Sequence, residues 1–262
     1  RRRPLSRSAA VVLGAALVFA PARVVGAAVV LTTLGGVAFS ATGRFLEPWN
    51  QWTLEYRGLW EPAGFARNLL LDGFHPVLPW FALYAVGLLL GRARLMERAT
   101  RVRLAALGAA GVAVSWTVAL LLPGDETLVA HLAPPRSFPP TPNFVLMGAS
   151  VATLVITASI WTAERFPRAT APVANVGRLA LTLYVAHVIV GMGTLEELGR
   201  LGGQSRAFAT WSALAFFAGS VVFAAVWLRF FRAGPFEALL RAVGPRAPDA
   251  VVSLRARPSR RS

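Results

Sequence analysis

The sequence predicts an all-α protein, a polytopic transmembrane bundle of about seven helices. Three observations lead there. Five windows of 16 to 22 residues hold no Asp, Glu, Arg or Lys: Pro76–Gly91, Leu104–Gly124, Phe144–Ala163, Leu179–Leu195 and Ala207–Leu228. Charged residues make up 15% of the 262 against 55% hydrophobic ones, where a soluble domain carries about 25% charged. The loops between the windows alternate in charge sign. A helix needs about 20 apolar residues to cross some 30 Å of hydrocarbon, so repeated windows of this length mean a core formed in lipid.

The elements follow in order. Leu5–Ala20 and Val24–Ala41 read as two helices broken at Pro21-Ala22-Arg23, followed by spans near 76–91, 104–122, 144–162, 179–194 and 207–228. The loop Arg92–Arg103 carries five Arg and one Glu, net +4; Glu164–Arg178 carries three Arg and one Glu, net +2; Arg229–Ser262 carries eight Arg, one Glu and one Asp, net +6. The intervening loops Thr42–His75 and Asp125–Asn143 each come to −1, and Glu196–Arg206 to zero. By the positive-inside rule the three basic segments, with the C-terminus, are expected to be cytoplasmic. The hairpin 5–41 would place the basic stretch Arg1–Arg7 on the opposite side. Either upstream helices are missing from an N-terminally truncated chain, or Leu5–Ala20 is a re-entrant or surface segment. Residues 1–244 are read as one transmembrane domain. The segment "FFRAGPFEALLRAVG" predicts an amphipathic helix near 234–243 on the inner leaflet, with Pro235 in its first turn and Phe236, Leu239 and Leu240 on one face. Residues 245–262 read as a disordered basic tail.

Composition excludes several chemistries. Cysteine is absent, which removes disulfides, thiol nucleophiles and Cys-based metal sites. There are three histidines, no HExxH and no lysine for a phosphate-binding GxxxxGK, and no metal is expected. The net charge of +15 lies beside apolar spans, as topology requires, so nucleic acid is not an expected partner.

Polar residues inside the spans are the candidate functional groups. At helical spacing Gly177, Ala180, Tyr184, His187, Gly191 and Thr194 share a strip, with Leu181, Val185, Val188 and Met192 elsewhere. Polar groups in a bilayer normally face the bundle, so Tyr184 and His187 are expected to point inward. His187 is a general-base candidate, since imidazole moves a proton near neutral pH; Tyr184 accompanies it. Trp80, Tyr84, Gly87 and Gly91 form a second strip, and Ser150, Thr153, Thr157 and Trp161 a third. Trp80, Tyr84 and Asp72 are expected to line a substrate cleft, with His75 a second ionisable group at its mouth, close enough to Asp72 in sequence to touch it. His131, in a Pro-rich loop, is expected to be solvated. Trp49, Trp52, Tyr56 and Trp60, interleaved with Glu47, Glu55 and Glu61, read as an interfacial belt or as an aromatic surface for a sugar.

Three stretches together carry a family resemblance. "GFHPVLPWFALYAVGLLLGR" resembles the Gly-x-x-Pro-x-x-Pro-Trp entry and Gly-Arg exit of a helix in YeiB-like bacterial membrane proteins. "NVGRLALTLYVAHVIVG" is similar to their Gly-Arg-x-x-Leu-Thr-x-Tyr-x-x-His segment, and "WLRFFRAGPFEALLR" to their Trp-x-x-x-Phe-x-x-Gly-Pro-x-Glu block. This family, domain of unknown function 418, is related to heparan-alpha-glucosaminide N-acetyltransferase. The resemblance implies an acyltransferase in a bacterial cytoplasmic membrane, with acyl-CoA as co-substrate and a glycan or glycolipid acceptor on the far side. It also implies that Arg92 and Arg178 mark cytoplasmic helix ends, where they are candidates for the CoA phosphates. The upstream helices bearing the acyl-transfer histidine of the acetyltransferase relative have no counterpart here. The alternatives are a transporter or export component, and a non-catalytic membrane fragment.

Overall fold

A computed structural model describes residues 17–50, 55–122, 132–138, 140–200 and 202–243. It divides into two compact units, Arg1–Trp161 and Thr162–Ser262. The segment 1–16, Trp52, His131 and the tail 245–262 lie outside the described residues.

In the first unit, helix α1 (Ala22–Ser40) leads through a 3-10 turn, Arg44–Leu46, to a two-stranded antiparallel ladder. Its strands β1 (Trp49–Asn50) and β2 (Glu55–Tyr56) pair Trp49 with Tyr56 and Asn50 with Glu55. Helix α2 (Pro62–Arg67) widens into a π turn over Asn68–Asp72, and α3 (Val77–Arg92), α4 (Arg98–Leu121) and α5 (Pro142–Arg165) follow. Near its start α3 is irregular: Leu78 is extended and the Leu78–Pro79 peptide is cis. In the second unit, α6 (Pro167–Arg178) is followed by α7 (Ala180–Ala186), a π turn over His187–Met192, α8 (Gly193–Glu197), α9 (Arg206–Phe230) and α10 (Pro235–Val243).

Among the described residues four helices, α1, α4, α5 and α9, are long and apolar enough to cross a membrane. Two bent pairs raise the number to six: Pro62–Asp72 with α3, bent by 48°, and α6 with Ala180–Glu197, bent by 65°. These six correspond to the predicted spans from 24–41 onward. The all-α class is therefore observed, the β-ladder being two residues deep.

Two expectations are corrected. Residues 164–178 are helical rather than a loop, because Pro167 sits in the first turn of α6, where its missing N–H costs nothing. The span 179–194 is not a continuous α-helix. Leu179 leaves helical geometry (φ −110°, ψ 21°) between α6 and α7, and the π turn at His187–Met192 follows.

Packing is inverted relative to a soluble protein. The helices bury Ser115, Ser150, Thr153, Thr157 and Ser220 and expose Leu107, Leu120, Val155, Trp211 and Val222. Small residues set the contacts, as expected where lipid removes any hydrophobic drive between helices. Gly35 and Gly36 of α1 face Leu78 and Pro79, and a Cβ on Gly36 would come within 3.0 Å of the Pro79 ring. On α4, a Cβ on Gly108 would meet Leu154 Cγ at 2.9 Å and the Ser150 carbonyl at 3.0 Å. Thr153 and Thr157 return their hydroxyls to carbonyls one turn back, Ala149 at 2.7 Å and Thr153 at 2.9 Å. The third strip thus faces inward as expected, except for exposed Trp161, and its hydroxyls serve the helix itself.

Candidate functional site

Each unit holds a polar constellation. In the first, the fully buried Asp72 carboxylate accepts hydrogen bonds from the Tyr56 hydroxyl at 2.6 Å and from Arg67 Nε. Its backbone carbonyl accepts the Trp49 indole N–H at 2.6 Å. Arg67 also reaches the Arg44 carbonyl at 2.9 Å and lies 3.6 Å from Glu47. Burial, then the hydrogen bond to Asp72, push the Tyr56 phenol well above its ordinary value. The ladder register places Trp49 opposite Tyr56, ring edge to ring face at 5.4 Å, and Phe138 closes on Trp49 at 5.3 Å.

This cluster holds one wall of an open cleft of about 630 Å³, lined among others by Trp49, Tyr56, Trp60, Phe74, Asn50 and Asn68. His75 is exposed beside it. Its ring packs between Phe74 at 4.8 Å and Trp80 at 4.6 Å, while the Asp72 carboxylate is held by Tyr56 and Arg67. Trp80 packs on Phe144 at 5.3 Å, and its buried indole N–H has no hydrogen-bond partner among the described residues.

The expected cleft of Trp80, Tyr84 and Asp72 does not form as one surface. Tyr84 is 47% exposed and stacks on Phe81 at 5.5 Å. The face of α3 that is buried carries Phe81, Ala82 and Ala85, because α1 docks its glycines against the Leu78–Pro79 end. Tyr84 is rotated off that face, and Gly87 and Gly91 are exposed with it.

In the second unit, His187 heads the π turn and packs edge-on against Phe216 at 5.3 Å. It lines a largely apolar pocket of about 560 Å³ with Gly191, Gln204, Phe208, Ser212 and Arg200. Arg200 lies over the Phe208 ring at 5.6 Å. Tyr184 is not part of this pocket; it is 60% exposed. Each helical residue turns the face by about 100°. Measured from the buried Leu183, His187 falls about 40° away and Tyr184 about 100°. Both side chains are exposed, so the inward expectation fails for Tyr184 and is met by His187 only in that its ring lines this pocket.

The π turn is reached through a capped break. Glu237 of α10 accepts the N–H of Leu181 at 2.7 Å and of Thr182 at 3.1 Å, and its second oxygen takes the Thr182 hydroxyl. Burial alone would raise the Glu237 carboxyl, but these bonds outweigh it and hold the group below its ordinary value. Thr182 Oγ1 in turn accepts the Phe236 N–H at 3.3 Å. Sequence reading gave no role to Glu237, Arg67 or Thr182; the spacing Arg67–Asp72 within a weakly charged loop was the one available signal.

The two helix-end arginines are engaged locally. Arg92 donates to the carbonyls of Leu17, Val18 and Ala20 at 2.6–2.9 Å. Arg178 donates to Asn175 Oδ1 and the Arg232 carbonyl, both at 3.3 Å. Neither forms a phosphate cradle. Among the described residues no group of three or more His, Asp or Glu is arranged to hold a metal ion.

Apolar helices with lipid-facing Leu, Val and Phe, bent at polar breaks, define a helical membrane protein. A family model described as "Protein of unknown function (DUF418)" matches residues 90–244, and the chain belongs to that family. No curated protein and no solved structure matches it. The matched segment contains the His187 pocket and the Glu237 cap; the Asp72 cluster precedes it.

Proposed function

We propose that this chain is an acyltransferase-like protein of a bacterial cytoplasmic membrane, moving an acyl group from acyl-CoA to an extracytoplasmic glycan or glycolipid. Its three Arg-rich segments and C-terminus then face the cytoplasm. The observation that carries this reading is the His187 pocket: an exposed imidazole on the wall of a largely apolar pocket of about 560 Å³, whose lining also includes Ser212 and Gln204, side chains that can orient a polar acceptor. His187 takes the proton of the acceptor hydroxyl or amine and returns it to the departing group of the donor. A positioned base of this kind contributes about 10²–10⁴-fold. Because Arg92 and Arg178 are committed to carbonyls, phosphate binding is not assigned to them.

Membranes containing the protein should transfer label from acetyl-CoA to a sugar acceptor, and His187→Ala should lower the rate about 100-fold or more. Absence of transfer to every sugar offered would end the proposal.

One observation favours a second reading, a transporter. Two of the six spans are bent pairs, and discontinuous helices build midplane substrate sites in transporters. Solute uptake into proteoliposomes lacking any acyl donor would select it.

A further inference from the structure

We infer that the cleft over the Asp72 cluster is a binding site for an uncharged sugar ring. The inference relies on the proposed function for the role of that sugar as acceptor, but the site itself is argued from its own walls.

The lining combines aromatic faces with hydrogen-bonding groups of every kind. Trp49, Tyr56, Trp60 and Phe74 supply the faces; Asn50 and Asn68 supply amides, Glu55 a carboxylate and Arg57 a guanidinium. Polar and apolar groups share the surface about equally. A pyranose has this same division: a C–H face that packs on an aromatic ring, and a rim of hydroxyls that both donate and accept. Amides offer both functions, carboxylate only acceptors and guanidinium only donors. The mixed signs of Glu55 and Arg57 select for neither an anion nor a cation. The volume, about 630 Å³, lies within the roughly 300–1,000 Å³ of small-molecule sites.

Two of the walls are fixed before any ligand arrives. The Trp49 indole is tied to the Asp72 carbonyl and flanked by Phe138, and the Tyr56 hydroxyl is tied to the Asp72 carboxylate. Rings held in place lose little freedom on binding, which favours affinity. Trp60 differs: it stands 93% exposed in the lining of the cleft, a ring free of the Asp72 cluster's hydrogen bonds. An apolar acyl chain would find no continuous apolar wall here, in contrast to the His187 pocket.

The test uses the full chain in phospholipid nanodiscs, because alkyl-glycoside detergents would present sugar to the site. Saturation-transfer NMR with maltose and with N,N′-diacetylchitobiose should show transfer to ring protons for at least one of them. Trp60→Ala, which leaves the Asp72 cluster intact, should weaken that binding at least tenfold. Trp116→Ala, on the exposed face of α4, should leave it unchanged. No transfer to either sugar, or equal binding by Trp60→Ala, overturns the inference. So does strong quenching of Trp60 fluorescence by brominated lipids, which would make it a headgroup anchor. No acyl donor is present, so loss of binding with acyl transfer intact rejects this cleft alone. Binding without any transfer rejects the acyltransferase reading alone.

Discussion

Removing the Glu237 carboxylate should loosen the start of α7, and the size of the effect can be worked from its bonds. One oxygen accepts two backbone N–H groups, Leu181 at 2.7 Å and Thr182 at 3.1 Å, and the other takes the Thr182 hydroxyl. Hydrogen bonds to a charged group contribute about 1.5–3 kcal/mol each, and a shared acceptor is not additive. For a half-buried carboxylate, about 2–3 kcal/mol for Glu237→Ala is the reasonable total. At 1.4 kcal/mol per factor of ten, that is about 30- to 140-fold in the local opening constant. Glu237→Gln keeps one carbonyl acceptor and should cost about half as much. Hydrogen exchange over residues 179–186, in nanodiscs at neutral pH, reads the change directly. The pH dependence has a definite sign. The folded carboxyl sits below its ordinary value, so its contribution is complete above the unfolded pKa and is lost as pH falls through the lower folded one. Wild type and Glu237→Gln should therefore converge in acid. Unchanged exchange at Leu181 and Thr182 in Glu237→Ala would refute the capping role.

Two further changes probe the first unit. Asp72→Ala leaves Arg67 and Tyr56 facing a void where a fully buried carboxylate stood; Arg67 is 35% exposed, so the cost is that of the lost hydrogen bonds to a charged group, about 1.5–3 kcal/mol each and not additive, and the thermal unfolding temperature in nanodiscs should fall accordingly. Gly108→Ala sets a Cβ against Leu154 Cγ and the Ser150 backbone carbonyl, and should cost about 1–3 kcal/mol as overpacking. Gly26→Ala meets nothing within 4 Å and should instead stabilise α1 by up to about 1 kcal/mol; equal effects at the two glycines would contradict the helix contact described.

What the sequence revealed was governed by averages over many residues. Charge-free windows located five of the six spans, because expelling charge from lipid acts on every position of a span at once. Breaks are governed by single residues and were missed. "PRATAPVANVGR" reads as part of a basic loop, yet Pro167 initiates a helix and Pro172 is accommodated within it. Helical phase across Leu179–Leu195 assumed 3.6 residues per turn throughout. The π turn at His187–Met192 and the departure at Leu179 break that phase; within the regular α7 the buried face falls on Thr182 and Leu183, so Tyr184 is turned outward, while the His187 ring lines the pocket. The Asp72 cluster was half legible: Asp72, Tyr56 and Trp49 were each singled out, but their union depends on a two-residue ladder that no periodicity announces.

The two bent spans share a physical solution. A helix interrupted near lipid leaves backbone groups without intrahelical partners, and lipid supplies none. At each break an acidic side chain and its hydrogen bonds occupy the gap. Asp72 ends the π turn before α3, gathering Tyr56 and Arg67 on its carboxylate and Trp49 on its carbonyl. Glu237 enters from α10 and covers the exposed N–H groups that begin α7. Asp and Glu number only 12 in 262 residues, so two placed at breaks are a substantial share of the acids. This gives the glutamate of the Gly-Pro-x-Glu block a structural duty: it holds the entry to the helix that presents His187. Gly234 fits the same arrangement, since a Cβ there would collide with Thr182 and Glu237. A break fixed in this way can hold His187 in place at the head of its π turn without a continuous helix to carry it.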